Sequence, residues 1–565
     1  MLNKHTRFTT FVEEYSMPWK VRSSIVGGRS LSVAKSQAYS SEARKLCSLA
    51  NEFSSLGASW QHAAMIIAQQ TSVFQRSANK TVWQYESSPF AKQASRCALT
   101  SNMCTHYARK CQHLSQRLQE LASLIVRANS LYGDAELRAK ENFDNQIALL
   151  TSVMPFTSIP FFAGAALAAL DDAKQHTGFE HVAQWSHATQ SVQQGTIRGL
   201  AQHMMLNPVT GLPIFALGVI QSSRNHHSST KGRFNNVHTN FLRSMTHHFQ
   251  SPVPFVSSAF SLISAPINNH MQGNTLRVHR ISQPWRKPAF VLPRKGRNLR
   301  ETLDNLTELG SGHLGVRPPL ANPDAATIAI QRFKRADGRT SWLVIIPGTD
   351  GKAHSPFGWE QNAEVMSHSP LTRKQADSTR MVLEAMKRSG IQRKDPVALV
   401  GHSQGGIVAA SIASDYAKQY NIQHVVTAGS PIANHPIPQH TWVTSIEMED
   451  ELVPSLDGKE NPRRNNWVTI HGRASHVRKT QRPLPPGVTR FSGSMYSRRK
   501  FDNTGILVND VPEEGTLTHD LHYHTAAYED ALQLGSQSVR RQDQHFQKII
   551  DGELQSTTLW QGVMQ

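Results

Sequence analysis

The chain has 565 residues, 39% of them hydrophobic and 18% charged, with a net charge of +19. This length excludes one ordinary hydrophobic core and predicts several domain-sized pieces of globular composition. The charge is concentrated: residues 181–300 hold thirteen Lys or Arg and not one Asp or Glu. Such a field favours anionic partners, and since no nucleic-acid-binding motif accompanies it, no specific nucleic-acid partner is expected. An anionic membrane or wall surface fits it better, the plainer alternative being a basic, solvated connector.

The opening stretch, MLNKHTRFTTFVEEYSMPWK, lacks the apolar core of a secretory signal peptide, and residues 1–29 read as a tail. From residue 30 two long helices are predicted. In the first, Leu46, Leu49, Phe53, Leu56, Trp60, Ala63 and Ile67 alternate at spacings of three and four. In the second, Cys97, Cys104, Cys111, Leu118 and Ile125 recur every seven residues, with Tyr107, Leu114, Leu121 and Ala128 as the companion row. Both rows are heptad seams, and one connecting loop predicts an antiparallel hairpin over 30–145. Cysteines a heptad apart on one helix lie ~10 Å apart and cannot form a disulfide, so they are expected to act as small buried hydrophobes. The loop carries Trp83 and Pro89, and Tyr132-Gly133-Asp134-Ala135-Glu136 follows the second helix as Tyr-x-x-x-Glu. This hairpin resembles the WXG100-like substrates of type VII secretion, departing from them where Trp83-Gln84-Tyr85 has tyrosine in place of glycine. The resemblance implies the type VII secretion machinery or a small helical protein as partner. It also implies a secreted or envelope-associated protein without a cleavable signal peptide, a cytoplasmic location being the alternative.

Residues 146–298 read as an apolar and basic connector. ALLTSVMPFTSIPFFAGAALAAL (148–170), LNPVTGLPIFALGVI (206–220) and PVPFVSSAFSLISAPI (252–267) are apolar but broken by proline. The first is long enough to span a bilayer; the second is short, and its Pro and Gly leave backbone groups that lipid cannot satisfy. Membrane-adherent or buried segments are the expectation, with a transmembrane hairpin as the alternative.

From 299 to 550 the pattern is α/β. ATIAIQRF and SWLVIIPGT flank a turn at Asp337-Gly338, and TRKQADSTRMVLEAMKRSG (372–390) has helical amphipathicity ending at Gly390. The run PVALV then leads into Gly401-His402-Ser403-Gln404-Gly405-Gly406 and a helical segment. A serine at such a strand-to-helix corner must adopt strained backbone angles, for which glycines on either side leave room. This is the G-x-S-x-G elbow of a serine nucleophile. Strands at HVVTAGSPI (424–432) and within TWVTSIEMEDELVPSL (441–456) complete an alternation that predicts a doubly wound, mostly parallel sheet. The fold expected is an α/β hydrolase behind an all-α hairpin, with 551–565 as a C-terminal tail.

In that fold the acid follows the nucleophile and the histidine comes last. Asp450 and Glu451 follow a strand and stand jointly as candidate acids, while His519, His522 and His524 are the candidate histidines. Of these His519 is favoured, since it sits in the loop before the next helix, and His524 is the alternative. The backbone N–H of Gln404 supplies one oxyanion donor, and the loop after WLVIIP supplies the other. Taken in order, IPGT, GHSQGG, AGSP and ELVP resemble lipase class 3 enzymes over residues 346–454. The resemblance selects Glu451 by its spacing to Pro454, although aspartate is commoner in that role, and implies Thr349 as the second oxyanion donor. It implies an esterase or lipase that acts on an acyl ester or lipid without metal or organic cofactor. The rival reading is a catalytically silent interaction protein that uses the fold as a scaffold.

Overall fold

The computed structural model describes residues 19–28, 33–80, 89–130, 145–152, 190–206, 253–254, 256–258, 261, 272–281, 296–310, 325–350, 354–358, 360–449, 451–476, 490–491, 494–495, 505–508 and 519–565. The contacts divide it into two units, residues 30–133 and everything else. The loop at 81–88, with Trp83, and the Tyr132–Glu136 motif lie outside the described residues. So do 153–170 and 207–220, the greater part of the apolar stretches. No helix among the described residues is long and apolar enough to cross a membrane.

The smaller unit is the predicted hairpin, α1 (Val33–Lys80) and α2 (Pro89–Ser130). Its contact stripe differs from the expected one. The buried row of α1 is Ala43, Ala50, Gly57, Ala64, Thr71 and Ala78, spaced by seven, and it faces Ala94, Ala108, Ser115 and Ala122 of α2. Cβ-sized residues let the helices approach until Ser101 Oγ donates to the Ala64 carbonyl (2.9 Å) and Ser115 Oγ to that of Ala50 (2.7 Å). Rising numbers on one helix meet falling numbers on the other, so the pair is antiparallel. The larger apolar residues flank this stripe: Phe53 and Trp60 are half-buried, Leu49, Leu56, Leu114 and Leu121 exposed. Trp60 and Tyr107 meet across the pair with ring centroids 5.4 Å apart. The cysteines are free thiols; Cys104 is buried, Cys97 and Cys111 half-buried, and Cys47 exposed.

The other unit is built on β1 (Trp19–Gly27), α3 (Gln190–Leu206), β2 (Leu276–Arg280), α4 (Leu299–Gly310), β3 (Ala326–Lys334), β4 (Thr340–Ile346), α5 (Glu360–Val365), α6 (Pro370–Gln375) and α7 (Asp377–Ser389). It continues through β5 (Pro396–His402), α8 (Gln404–Asp415), β6 (Asn421–Ala428), β7 (Trp442–Met448), β8 (Trp467–His476), the short pair β9 (Arg490–Phe491) and β10 (Ser494–Met495), and β11 (Ile506–Val508). It closes with α9 (Leu521–Gln533), α10 (Gln537–Ile550) and β12 (Glu553–Met564). Among the described residues, ten strands form one sheet in the order β11-β1-β8-β7-β6-β5-β4-β3-β12-β2. The five central strands, β4 to β8, are parallel; the flanks are antiparallel. Val397, Ala398, Leu399 and Val400 are completely buried, as a central strand covered on both faces requires. Ile346 and Leu399 point into a cluster with Met381, Val382, Ile407 and Val408 of α7 and α8. Strand residues of the opposite parity face α4, α9 and α10, where Ser341 Oγ donates to the Ile549 carbonyl. This is the α/β-hydrolase architecture.

Three segments differ from their expected places. β1 falls inside the presumed N-terminal tail yet pairs along its whole length with β8; β12 falls inside the presumed C-terminal tail yet lies between β3 and β2; β2 belongs to the presumed connector. The hairpin therefore follows the first sheet strand. The connector also supplies α3, whose Ile197 and Ala201 pack with Val253, Val256 and Leu452. Polar contacts fasten it, from Ser455 Oγ to Gln193 Oε1 (3.0 Å) and from Gln194 Nε2 to the Lys459 carbonyl (3.2 Å). The helix expected over 372–390 is broken at Ala376, whose ψ of 128° is extended, before Asp377-Ser378-Thr379 restarts it.

Candidate active site

β5 runs straight into α8, and Ser403 occupies the corner with φ 51° and ψ −124°. It is the one non-glycine with positive φ among the described residues. Such a backbone costs of order 1–3 kcal/mol and persists only where its surroundings hold it. Here Ser403 N–H donates to the Ala428 carbonyl at the end of β6 (2.8 Å), and its carbonyl accepts from Gly406 N–H (3.0 Å). Any Cβ on Gly405 would collide with the Ile346 and Pro347 carbonyls at the end of β4, so that position admits only glycine. Gln404 opens α8, where first-turn N–H groups have no intrahelical acceptor, so the helix presents donors beside the serine. The Gln404 side chain is turned away, donating to the Gly358 carbonyl (3.0 Å). Thr349, in the loop after β4, has its Oγ1 accepting from Asn362 Nδ2 of α5 (3.1 Å), which leaves its hydroxyl proton to donate elsewhere.

Glu451 follows β7 and is fully buried. Its Oε1 meets His519 Nδ1; its Oε2 meets His524 Nε2 (2.9 Å) and accepts from Met448 N–H (3.1 Å). Burial opposes ionisation of this carboxyl, but His524 and His519 outweigh burial and hold it down at about 2. Glu451 is thus a carboxylate shared by two imidazoles. Gly429, with φ +61°, lies one residue beyond the carbonyl that holds Ser403 N–H. A Cβ there would run into the Glu451 carboxylate and the His519 ring.

His519 precedes α9 and His524 lies in its first turn. Asp520 caps the helix, accepting from His522 N–H (2.8 Å). His522 turns its ring to the Asp520 carboxylate (2.5 Å) rather than to Glu451. Two residues that sequence reasoning did not single out also support the site. His402, the neighbour of Ser403, donates from Nε2 to the His519 carbonyl (2.9 Å), and the two rings lie 4.6 Å apart. Burial, then His519 and His524, push the His402 imidazole down to about 3, so it is neutral. Asn362 is the second; its place beside Thr349 depends on how α5 folds back and leaves no mark in the sequence.

Asp450, the other candidate acid, lies outside the described residues. Asp457 Oδ2 accepts from Ala433 N–H (2.9 Å), pinning the loop after β6, and burial pushes its carboxyl up to about 7. His471 lies on β8 beside Glu447. No cluster of three or more His, Cys, Asp or Glu able to hold a metal ion occurs among the described residues. A cleft of about 990 Å³ opens elsewhere, at the β2 edge near Arg277, Arg380 and Tyr416, and contains none of the candidate residues.

A parallel sheet with a strained serine between strand and helix places this unit in the α/β-hydrolase class. Within it, residues 365–480 match the PGAP1-like alpha/beta domain family, a stretch that contains Ser403 and Glu451 but ends before His519. No curated protein and no solved structure matches the chain.

Proposed function

We propose that the protein is a serine hydrolase that cleaves acyl esters with Ser403, His519 and Glu451. The observation that carries this reading is the strained Ser403 backbone, whose neighbour His402 donates to the carbonyl of His519, a histidine already held by a buried carboxylate. Glu451 accepts a hydrogen bond from His519 Nδ1–H and so leaves Nε2 with its lone pair. That nitrogen takes the proton as Ser403 Oγ attacks the ester carbonyl, then delivers it to the departing alcohol. The oxyanion is met by Gln404 N–H and the Thr349 hydroxyl; losing one such donor typically costs about 3 kcal/mol of barrier. Water then releases the acyl group by the same steps in reverse. His519 is the base in preference to His524, because both ring nitrogens of His524 are already engaged.

An apolar acyl chain is the substrate group best supported. Leu452, next to the acid, packs with Ile197, Val253 and Val256, and Met204 and Met205 line the same cluster. The stretch 181–300, with thirteen Lys or Arg and no Asp or Glu of its own, supports action at an anionic membrane. Export through a type VII route, with a helical partner on the exposed Leu49, Leu56, Leu114 and Leu121 of the hairpin, is the organisation proposed for the chain.

A fluorophosphonate probe should label the folded protein and not Ser403→Ala, which should also lose hydrolysis of a short p-nitrophenyl ester. Equal turnover by wild type and Ser403→Ala would overturn the assignment. The membrane part is separable: co-sedimentation should be greater with anionic than neutral vesicles and should weaken with salt. Indifference to lipid charge would remove it.

A further inference from the structure

The contacts of His524 go beyond those of a spare histidine. It is completely buried in the first turn of α9. Its Nδ1 lies 3.0 Å from the Asp520 carbonyl oxygen, an atom that can only accept, so Nδ1 carries a proton. Its Nε2 lies 2.9 Å from Glu451 Oε2. That oxygen already accepts from Met448 N–H, and the other carboxylate oxygen meets His519, so Glu451 faces donors on every side. A neutral imidazole has one N–H, and here two acceptors confront it.

We infer that His524 is a doubly protonated positioning residue, an imidazolium that anchors Glu451 and neutralises its charge, so that His519 works against an acid already paired. This rests on the Ser403–His519–Glu451 reading above and adds a fourth member to it. The groups facing His524 are Glu451; His402 and His519, whose rings stand edge-on with centroids 5.9 and 6.2 Å away; and Asp520 at the cap of its own helix. Burial disfavours the cation, but Glu451 overrides it, and the imidazole is held above its ordinary range. An ion pair of this kind is retained only when both partners are fully hydrogen-bonded, a condition met at both ends here.

The consequence for turnover has a definite sign. A triad carboxylate with its full charge raises the pKa of the histidine it holds; pairing that charge with a second cation lowers it. Pairing the acid with His524 should therefore extend turnover to lower pH than an unshared acid would allow. His524→Gln keeps a donor for Glu451 and removes the cation. The acidic limb of the kcat/KM profile should therefore move up by half a pH unit or more in this variant. A lower rate with an unmoved limb would mean packing alone and would overturn the proposal. A second measurement needs neither turnover nor the variant. In histidine-¹⁵N-labelled Ser403→Ala protein, one buried imidazolium should persist at pH 7.5, where solvent-exposed histidines are neutral. Its absence would sink the inference. Failure of fluorophosphonate labelling in wild type would instead count against the hydrolase reading, leaving the nitrogen spectra to judge His524 independently.

Discussion

In the sheet, Ile346, Leu399 and Val400 are fully enclosed, while in the hairpin Ala50, Ala64 and Ala108 are enclosed and Leu49, Leu56, Leu114 and Leu121 face outward. The two units thus use volume in opposite ways. The sheet is held by filling the space between strand and helix, where dense packing makes each missing methylene felt. The hairpin is held by leaving that space out, so that backbones come close enough for Ser101 and Ser115 to reach carbonyls on the opposite helix. One region should be harmed by removing atoms and the other by adding them.

The sharpest test is Leu399→Ala, expected to lower the stability of the hydrolase unit by about 2–5 kcal/mol in urea unfolding. Next, protonation should divide the sheet unit from the hairpin. His424, His435, His402 and His545 are held neutral mainly by burial: His424 well below its ordinary range, His435 and His402 at about 3, His545 at about 4. Their contribution is present above pH ~6.5, the ordinary histidine value, and is lost as pH falls below it. Burial raises Glu364 to about 8 and Asp457 to about 7, and their contribution is lost as pH rises through those values. Each excess proton bound by one state is worth about 1.4 kcal/mol per pH unit. Four histidines outnumber two carboxyls on the acid side, so the hydrolase midpoint should peak between about pH 6 and 7 and fall in both directions. A midpoint flat from pH 5 to 8.5 would contradict the burial of these groups. In the hairpin, Ala50→Leu should cost about 1–3 kcal/mol by forcing the helices apart. Smallest of all, Leu114→Ala should change stability by under about 0.5 kcal/mol. A loss from Leu114→Ala as large as that from Leu399→Ala would mean that the flanking leucines are covered, and the contrast between the units would collapse.

The same contrast governs what the sequence makes legible. The corner at Ser403 is readable because its causes lie within a dozen residues: an apolar run, paired glycines and a helix. The hairpin's period of seven is equally local, but the seam was expected on the larger residues, because leucine and phenylalanine outweigh alanine in any reading of hydropathy. The buried row sits beside it and shows only when two helices are set together. β1 and β12 are hidden for another reason. WKVRSSIVG and ELQSTTLWQGVM carry Arg, Ser, Thr and Gln, and their strand character comes from partners hundreds of residues away. Glu451 was one of two adjacent carboxylates by sequence, and its contacts with His519 and His524 emerge only from the meeting of the β7 end with the start of α9. Holding two imidazoles at once is a property of that junction, with no signature in either segment.

The pairing of β1 with β8 has a bearing on how the chain is made. Val26 aligns with Thr469, and β12 closes against β3 across some two hundred residues of sequence. A ribosome adding 5–20 residues per second needs roughly 20–90 s to travel from the first of these strands to its partner. Throughout that interval β1 waits with its ladder groups unpaired, while the hairpin, a compact unit within 30–133, is free to form as soon as those residues are made. The nascent chain would carry a finished helical pair ahead of an unassembled sheet, and the Ser403 corner would gain both its flanks only late in synthesis.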